Sequence, residues 1–277
     1  MKSKIKLALA QTSCKRGDKE ENLRRMEKVI LEAKKQSSEL VIFPELCVTG
    51  YVNRDQFYEL AETIPGPTTA RIEDMARQHD LHVVFGIPEL SAKTRGTLYN
   101  TAALIGPHGL IGKYRKMHLP THSVFEEKRY FRLGYQATAF ETTLGTIGLC
   151  ICYDIFFPEV IRLTRLKGAQ LIVCISASPA ARKEYFEILT AARAIENTAY
   201  LAYVNLAGVE EGLQFWGGSR LIDPTGRVLA KAKYDEPEVV FCEADLRDLR
   251  SAEAFIPTLR DIRPELFDKL KEEAEKI

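Results

Sequence analysis

The stretch Ile147-Gly-Leu-Cys-Ile-Cys-Tyr-Asp-Ile-Phe-Phe-Pro-Glu159 passes from an apolar run through a turn into the start of a helix. The run of residues 147–151 is short and apolar, which predicts a buried strand. Pro158 suits the first turn of a helix, because its φ is already helical and its missing N–H would have no acceptor there. Cys152 is therefore predicted to lie where a strand ends and a turn leads into a helix.

Strand and helix patterns alternate on both sides of this segment. Further strands are predicted over residues 5–11, 40–43, 82–87, 98–105, 110–114, 170–176, 200–205, 219–223 and 227–230. Amphipathic helices are predicted after Asp18 and over residues 69–79, 158–167 and 183–198. This alternation is typical of an α/β fold. Hairpin turns at 106–109 and 224–226 make the sheets mixed, and we expect the two halves to be related layers of one two-sheet sandwich.

The composition limits the partners of the protein. Its 277 residues are 45% hydrophobic, and 39 Lys and Arg against 38 Asp and Glu give a formal charge of +1. A nearly neutral chain has no strong field to attract nucleic acid or an anionic membrane, so neither partner is expected. A small molecule is the favoured substrate.

The chain has no clean linker, which predicts a single domain over residues 1–277. The charged segment 263–277 predicts an exposed C-terminal helix, either solvated or at a subunit interface. Residues 1–10 resemble a secretory signal only superficially, since Lys6 interrupts the apolar stretch. We therefore predict a cytoplasmic protein.

Cys152 is the candidate nucleophile among six cysteines. A thiol at the end of a strand projects from the sheet edge, and the N–H groups of the following turn favour negative charge on sulfur. Cys150, in the body of the same strand, is the alternative. His118 and His122 have the spacing of a helical metal pair, but Pro120 between them disrupts a helix, so no metal site is predicted.

A nucleophilic thiol needs a base and donors for the oxyanion. Glu45 directly follows an apolar strand, so its carboxylate is expected at a carboxyl end of the sheet, where α/β folds bind ligands. An ordinary surface carboxylate is the alternative. Lys116 lies just beyond another strand, but Lys113 and Arg115 are close by, and spacing alone does not select among these three cations.

Three ordered segments, Phe43-Pro-Glu45, Lys116-Met-His-Leu-Pro120 and the cysteine segment ending in Pro158-Glu159, resemble the motifs of the nitrilase superfamily of carbon-nitrogen hydrolases. The likeness covers nearly the whole chain. It implies a four-layer αββα sandwich with two mixed β-sheets, a homodimer or higher homo-oligomer, and neither metal nor organic cofactor.

Carried over to this chain, the resemblance makes Cys152 the nucleophile and Glu45 the general base. It implies that Lys116 and the backbone N–H of Tyr153 stabilise the oxyanion. A further family glutamate, which positions substrate, maps to Glu127.

Glu126 is adjacent to Glu127 and is the alternative for that position. The segments 175–179 and 215–219 are similar to the glutaminase branch of the superfamily. Trp216 is predicted to line the pocket, and packing in the core or at an interface is the alternative. The residues predicted to bind substrate are Tyr51, Tyr153, Ser178 and Trp216.

The residues after the cysteine narrow the expected substrate. Tyr153-Asp154 resembles the amidase side of the superfamily, where nitrilases have Trp-Glu. Ile155-Phe-Phe157 lacks the arginines with which N-carbamoyl amino acid hydrolases hold a carboxylate. We expect hydrolysis of a small linear amide through a cysteine thioester, giving a carboxylic acid and ammonia. The alternatives are a glutaminase or omega-amidase, an N-carbamoyl amine hydrolase, a nitrilase, or an inert binding protein.

Overall fold

Two large β-sheets and their covering helices make up residues 3–276, the part of the chain that the computed structural model describes. The strands are β1 (Lys4–Gln11), β2 (Leu40–Ile42), β3 (His82–Leu90), β4 (Leu98–Gly106), β5 (Gly109–Arg115), β6 (Thr138–Thr142), β7 (Gly145–Ile151), β8 (Leu171–Ser176), β9 (Tyr200–Asn205), β10 (Ala207–Glu210), β11 (Leu213–Trp216), β12 (Arg220–Ile222), β13 (Val228–Lys231) and β14 (Glu238–Asp245). The α-helices are α1 (Lys19–Lys35), α2 (Phe57–Leu60), α3 (Pro67–His79), α4 (Glu127–Tyr130), α5 (Pro158–Leu166), α6 (Lys183–Asn197), α7 (Arg247–Phe255) and α8 (Glu265–Ala274).

The two large sheets share one pattern of strand directions. The first has the order β14-β1-β2-β3-β4-β5, and the second has the order β6-β7-β8-β9-β12-β13. In each sheet three parallel strands, β1 to β3 or β7 to β9, are flanked by antiparallel strands. The two halves of the chain are thus related layers.

Alternating side chains of the central strands fill two cores. In β1, Leu7 and Leu9 face the second sheet, whereas Ala8 and Ala10 pack with α1 and α3. Helices α5 and α6 cover the outer face of the second sheet. The layers therefore follow the order helix, sheet, sheet, helix, and the predicted αββα sandwich is confirmed.

The residues predicted to begin helices lie at the helix starts in the structure. The Asp18 carboxylate accepts the backbone N–H of Glu21 at 3.0 Å and caps α1. Pro158 is the first residue of α5. The C-terminal segment forms the exposed helix α8, although Ile277 lies outside the described residues. No helix within residues 3–276 is both long and apolar enough to cross a bilayer.

The strand pattern in the sequence does not predict the edge strands β6 and β14. Most side chains of both strands are half-buried, so polar and apolar residues do not alternate cleanly. Pairing decides their structure, since β14 runs antiparallel to β1 from Lys4 opposite Asp245 to Gln11 opposite Glu238.

Strand β3 passes close to the segment that carries Glu45. The N–H of Gly86 donates to the carbonyl of Pro44 at 3.2 Å. A Cβ at position 86 would lie 2.3 Å from the backbone N of Leu46 and 2.7 Å from the Cα of Glu45. Glycine is needed for this close approach of two backbones, which fixes where the Glu45 side chain starts.

The substitution Gly86→Ala should lower the free energy of unfolding by about 3 kcal/mol, because the added methyl group overlaps backbone that has no free space. Denaturant titration measures this loss. Gly96→Ala is the control: among the described residues, no atom beyond its own chain neighbours lies within 4 Å of its added Cβ, and its positive φ of 71° is unfavourable, at a cost of about 1 kcal/mol. A loss at position 86 no larger than at position 96 would contradict the close approach.

Candidate active site

Glu45 lies just beyond the carboxyl end of β2 and is fully buried. Its Oε1 accepts hydrogen bonds from Lys116 Nζ and Asn100 Nδ2, each at 2.7 Å. Its Oε2 accepts the backbone N–H of Ala177, which follows strand β8 of the second sheet, at 2.7 Å. The carboxylate is therefore held from both sheets and is not an ordinary surface group.

Lys116 follows β5 and is also fully buried. Its Nζ lies 2.7 Å from an oxygen of Glu45 and 2.7 Å from an oxygen of Glu127. The neighbouring cations Lys113 and Arg115 both pair with the carboxylate of Glu89 instead. Side chains alternate between the two faces of a strand, so Lys116, directly after β5, points away from the face of Lys113 and Arg115.

Glu127, and not Glu126, lies beside the buried lysine. Its Oε1 binds Lys116 and also accepts the hydroxyl hydrogen of Tyr51 at 2.7 Å. Its second carboxylate oxygen is buried and has no hydrogen-bond partner among the described residues. The Glu126 side chain is exposed, and its carboxylate lies 3.5 Å from the hydroxyl of Tyr130.

Cys152 is the first residue of a short 3-10 turn, Cys152–Phe156, directly after β7. Its φ of 47° is a left-handed conformation, which costs a residue other than glycine about 1–3 kcal/mol. Its side chain lines a cavity of about 120 Å³. Cys150 is fully buried in the body of β7, opposite Cys174 of β8, and does not line this cavity. The geometry favours Cys152 as the nucleophile.

Burial and charge set the protonation of the site. Burial lowers the pKa of Lys116, but Glu127 and Glu45 outweigh it and hold that pKa well above its ordinary value. Burial raises the pKa of Glu127 to about 7, against the effect of Lys116 and with the help of Glu45. Burial and the charge of Glu45 also raise the pKa of Cys152, which Lys116 opposes. The Cys152 thiol is therefore neutral at rest, and it would require a base to act as a nucleophile.

Asp154 ties the turn of the nucleophile to the segment of the lysine. One of its oxygens accepts the N–H of Ile151 at 3.2 Å and the hydroxyl hydrogen of Tyr114 at 2.7 Å. The other oxygen lies 2.9 Å from the backbone N of His118 and 3.0 Å from its Nδ1. Because Asp154 is fully buried, this bridge fixes Cys152 relative to Lys116.

The structure brings some of the predicted substrate-binding residues to the cavity of Cys152 and not others. Tyr153 and Ser178 line it. Tyr51 instead borders a separate, larger depression of about 730 Å³, which Cys152 does not line. The pocket position proposed for Trp216 has to be revised: its side chain is buried and stacks on Tyr203, with 5.7 Å between ring centroids.

Comparison with known proteins identifies the family. Residues 6–254 match the family model described as carbon-nitrogen hydrolase. The chain belongs to the carbon-nitrogen hydrolase family. The predicted membership of the nitrilase superfamily is thereby confirmed.

Relatives of this carbon-nitrogen hydrolase match it over most of their length. A nitrilase from Pyrococcus abyssi is 38% identical, with 89% of this chain and 92% of the relative covered. An omega-amidase NIT2 from Bos taurus is 35% identical, with 90% and 92% covered. A mutant amidase from Nesterenkonia sp. AN1, solved with the acetamide moiety of fluoroacetamide on its active site cysteine, matches with a TM-score of 0.83 and 29% identity over 96% of each chain.

Two residues, Asn100 and Asp154, hold the site of this hydrolase together through contacts that the sequence does not predict. Asn100 donates a hydrogen bond to Glu45. The sequence feature that could have indicated this contact is a polar residue within the apolar strand β4. In the sequence, Asp154 indicates only the substrate class, although it follows Cys152 by two residues. Neither contact could be found from spacing, because Asn100 lies 55 residues from Glu45 and Asp154 lies 40 residues from Tyr114.

Replacement of Asp154 by asparagine should destabilise the hydrolase by about 1–3 kcal/mol, since an amide N–H₂ would face groups that donate to the carboxylate. The rate of Cys152 alkylation by iodoacetamide should change as the turn loses its anchor. Urea titration and peptide mapping measure the two effects. Asp55→Asn is the control, because the Asp55 side chain is exposed. Wild-type stability of the Asp154 variant would contradict the proposed anchoring.

Glu127→Gln should gain stability relative to wild type as the pH rises from 5 to 8. The folded-state pKa of Glu127 is raised from 4.5 to about 7, so the folded chain keeps a proton that the unfolded chain releases. The resulting stabilisation is fully present below pH 4.5 and is lost as the pH rises through about 7. Glutamine does not titrate, so the difference between the unfolding free energies should shift by roughly 2–3 kcal/mol.

Urea titrations of both proteins at pH 5 and pH 8 measure this shift. Glu126→Gln is the matched control, because its carboxylate is exposed and should give the same difference from wild type at both pH values. A difference for Glu127→Gln that does not depend on pH would contradict the raised pKa.

Proposed function

We propose that this enzyme hydrolyses small linear amides to a carboxylic acid and ammonia through a thioester on Cys152. One observation carries the proposal: a buried lysine lies between two carboxylates, Glu45 and Glu127, within electrostatic reach of the Cys152 thiol. The relatives that bear the names omega-amidase and amidase support this choice of bond.

In the acylation half, Glu45 takes the proton of the Cys152 thiol as sulfur attacks the amide carbon. A carbon–sulfur bond forms, and the carbonyl π electrons move onto oxygen. The ammonium group of Lys116 and the N–H of Tyr153 stabilise that oxyanion. The carbonyl then re-forms, the carbon–nitrogen bond breaks, and Glu45 returns the proton to the leaving nitrogen, which departs as ammonia.

In the deacylation half, a water molecule loses a proton to Glu45 and adds to the thioester carbon. The second oxyanion binds the same donors. As it collapses, the carbon–sulfur bond breaks, the acid is released, and the sulfur of Cys152 recovers the proton from Glu45. One amide and one water have become one carboxylic acid and one ammonia, and the enzyme is unchanged.

We also propose that subunits pair through the C-terminal helix. Three large apolar side chains of α8 are exposed in the single chain, and their burial in a partner would remove apolar area from water. They are Leu266, Phe267 and Leu270.

Intact-protein mass spectrometry after brief mixing with short-chain amides tests the thioester. Wild-type protein should gain the mass of one acyl group, and Cys152→Ala should gain none and release no ammonia. Cys150→Ala is the matched control and should still be acylated, since Cys150 does not line the cavity. Full ammonia release by Cys152→Ala would overturn the proposal.

A further inference from the structure

The cavity beside Cys152 contains an arginine that the mechanism does not use. Aromatic side chains make up much of its wall. Among the described lysines and arginines, Arg182 is the one that lines it. We propose that Arg182 binds a carboxylate at the far end of the substrate, so that the enzyme prefers linear amides that carry a negative charge. This inference rests on the proposed amidase function and names its substrate class.

The guanidinium of Arg182 is available for a ligand. Within residues 3–276 no carboxylate lies within 4.0 Å of its nitrogens, and no hydrogen bond satisfies its side chain. Its described contact is with the ring of Tyr185, whose centroid is 5.9 Å away. By contrast, Arg193 and Arg220, which follow on α6 and β12, are paired with Glu196 and Glu187.

Guanidinium groups bind carboxylates through two parallel hydrogen bonds, which gives both energy and orientation. The side chain of Arg182 is half-buried, so such a pair would be partly shielded from water, which strengthens it. The short 3-10 helix Ala180–Arg182, which ends at the start of α6, places this residue.

A second unsatisfied donor lies in the same wall. Ser178 is fully buried, lines the cavity, and its hydroxyl has no hydrogen-bond partner among the described residues. Buried hydroxyl groups normally have partners, so this one is available to a substrate oxygen. The backbone of Ser178 is held by Asn205, whose amide oxygen accepts the Ser178 N–H at 2.7 Å.

The size of the cavity limits the acyl chain. A volume of about 120 Å³ corresponds to about four water molecules at liquid density. So small a space favours a short chain between the amide and the carboxylate, and the monoamides of succinic and glutaric acid are probes of that kind.

The position of Arg182 changes the substrate class that the cysteine segment predicts. The absence of arginine in Ile155-Phe-Phe157 argued against a substrate that carries a carboxylate. The fold brings an arginine to the nucleophile from the segment after β8, 30 positions along the chain, because β7 and β8 are adjacent parallel strands.

The test compares kcat/KM for two pairs of substrates: succinamate with butyramide, and glutaramate with valeramide. Wild-type enzyme should prefer the anionic member of each pair. Arg182→Met keeps most of the apolar stem and should lower kcat/KM for the anionic amides by about 10- to 100-fold, the range expected for loss of a charge-assisted contact. Its kcat/KM for the neutral amides should stay within about twofold of wild type.

Lys183→Met is the matched control. It removes the same charge from the next residue, which does not line the cavity and lies over the ring of Tyr234 instead. Its preference for anionic amides should equal that of wild type. Arg182→Glu should go further and prefer the cationic 5-aminopentanamide to glutaramate, a reversal that a purely structural role of Arg182 would not produce.

The two proposals fail in different ways. If wild type hydrolyses valeramide at least as well as glutaramate, or if Arg182→Met leaves their ratio unchanged, the role of Arg182 is overturned and the amidase function stands. If wild type hydrolyses none of the four amides, both proposals are overturned. Valeramide activity of each variant also reports that it has folded.

Discussion

The ammonium group of Lys116 between the carboxylates of Glu45 and Glu127 is the contact on which the site depends. Three ionisable groups are removed from water there, and the two distances of 2.7 Å recover part of that desolvation cost. Removal of one partner from such a buried pair typically costs about 3–5 kcal/mol. The protein therefore has to supply further donors around the cluster, and Asn100 and Tyr51 are two of them.

The sandwich is arranged so that both sheets contribute to this cluster. Glu45 and Lys116 follow strands of the first sheet, and Cys152 follows a strand of the second. The N–H of Ala177 reaches across from the end of β8 to Glu45 at 2.7 Å. Packing of the two sheets thus determines the distance between Glu45 and Cys152, the proposed base and nucleophile.

The backbone at Cys152 is both strained and anchored by its neighbours. The left-handed backbone of Cys152 is unfavourable by itself and persists because its surroundings hold it. Asp154 supplies that support through the N–H of Ile151 and through Tyr114 and His118 on the segment of the lysine. The carboxylate of Asp154 therefore couples the position of the Cys152 thiol to the position of Lys116.

The sequence by itself determined the alternation of strands and helices, which depends on local periodicity, and the three short motifs that carry Glu45, Lys116 and Cys152. The family and the αββα layers followed from the resemblance that these motifs carry. The sequence could not choose between Glu126 and Glu127, or find Arg182 in the wall of the cavity. Those outcomes depend on which strand ends meet and which side chains share a face. Hydrophobic packing of distant segments sets such contacts, and spacing along the chain does not record them.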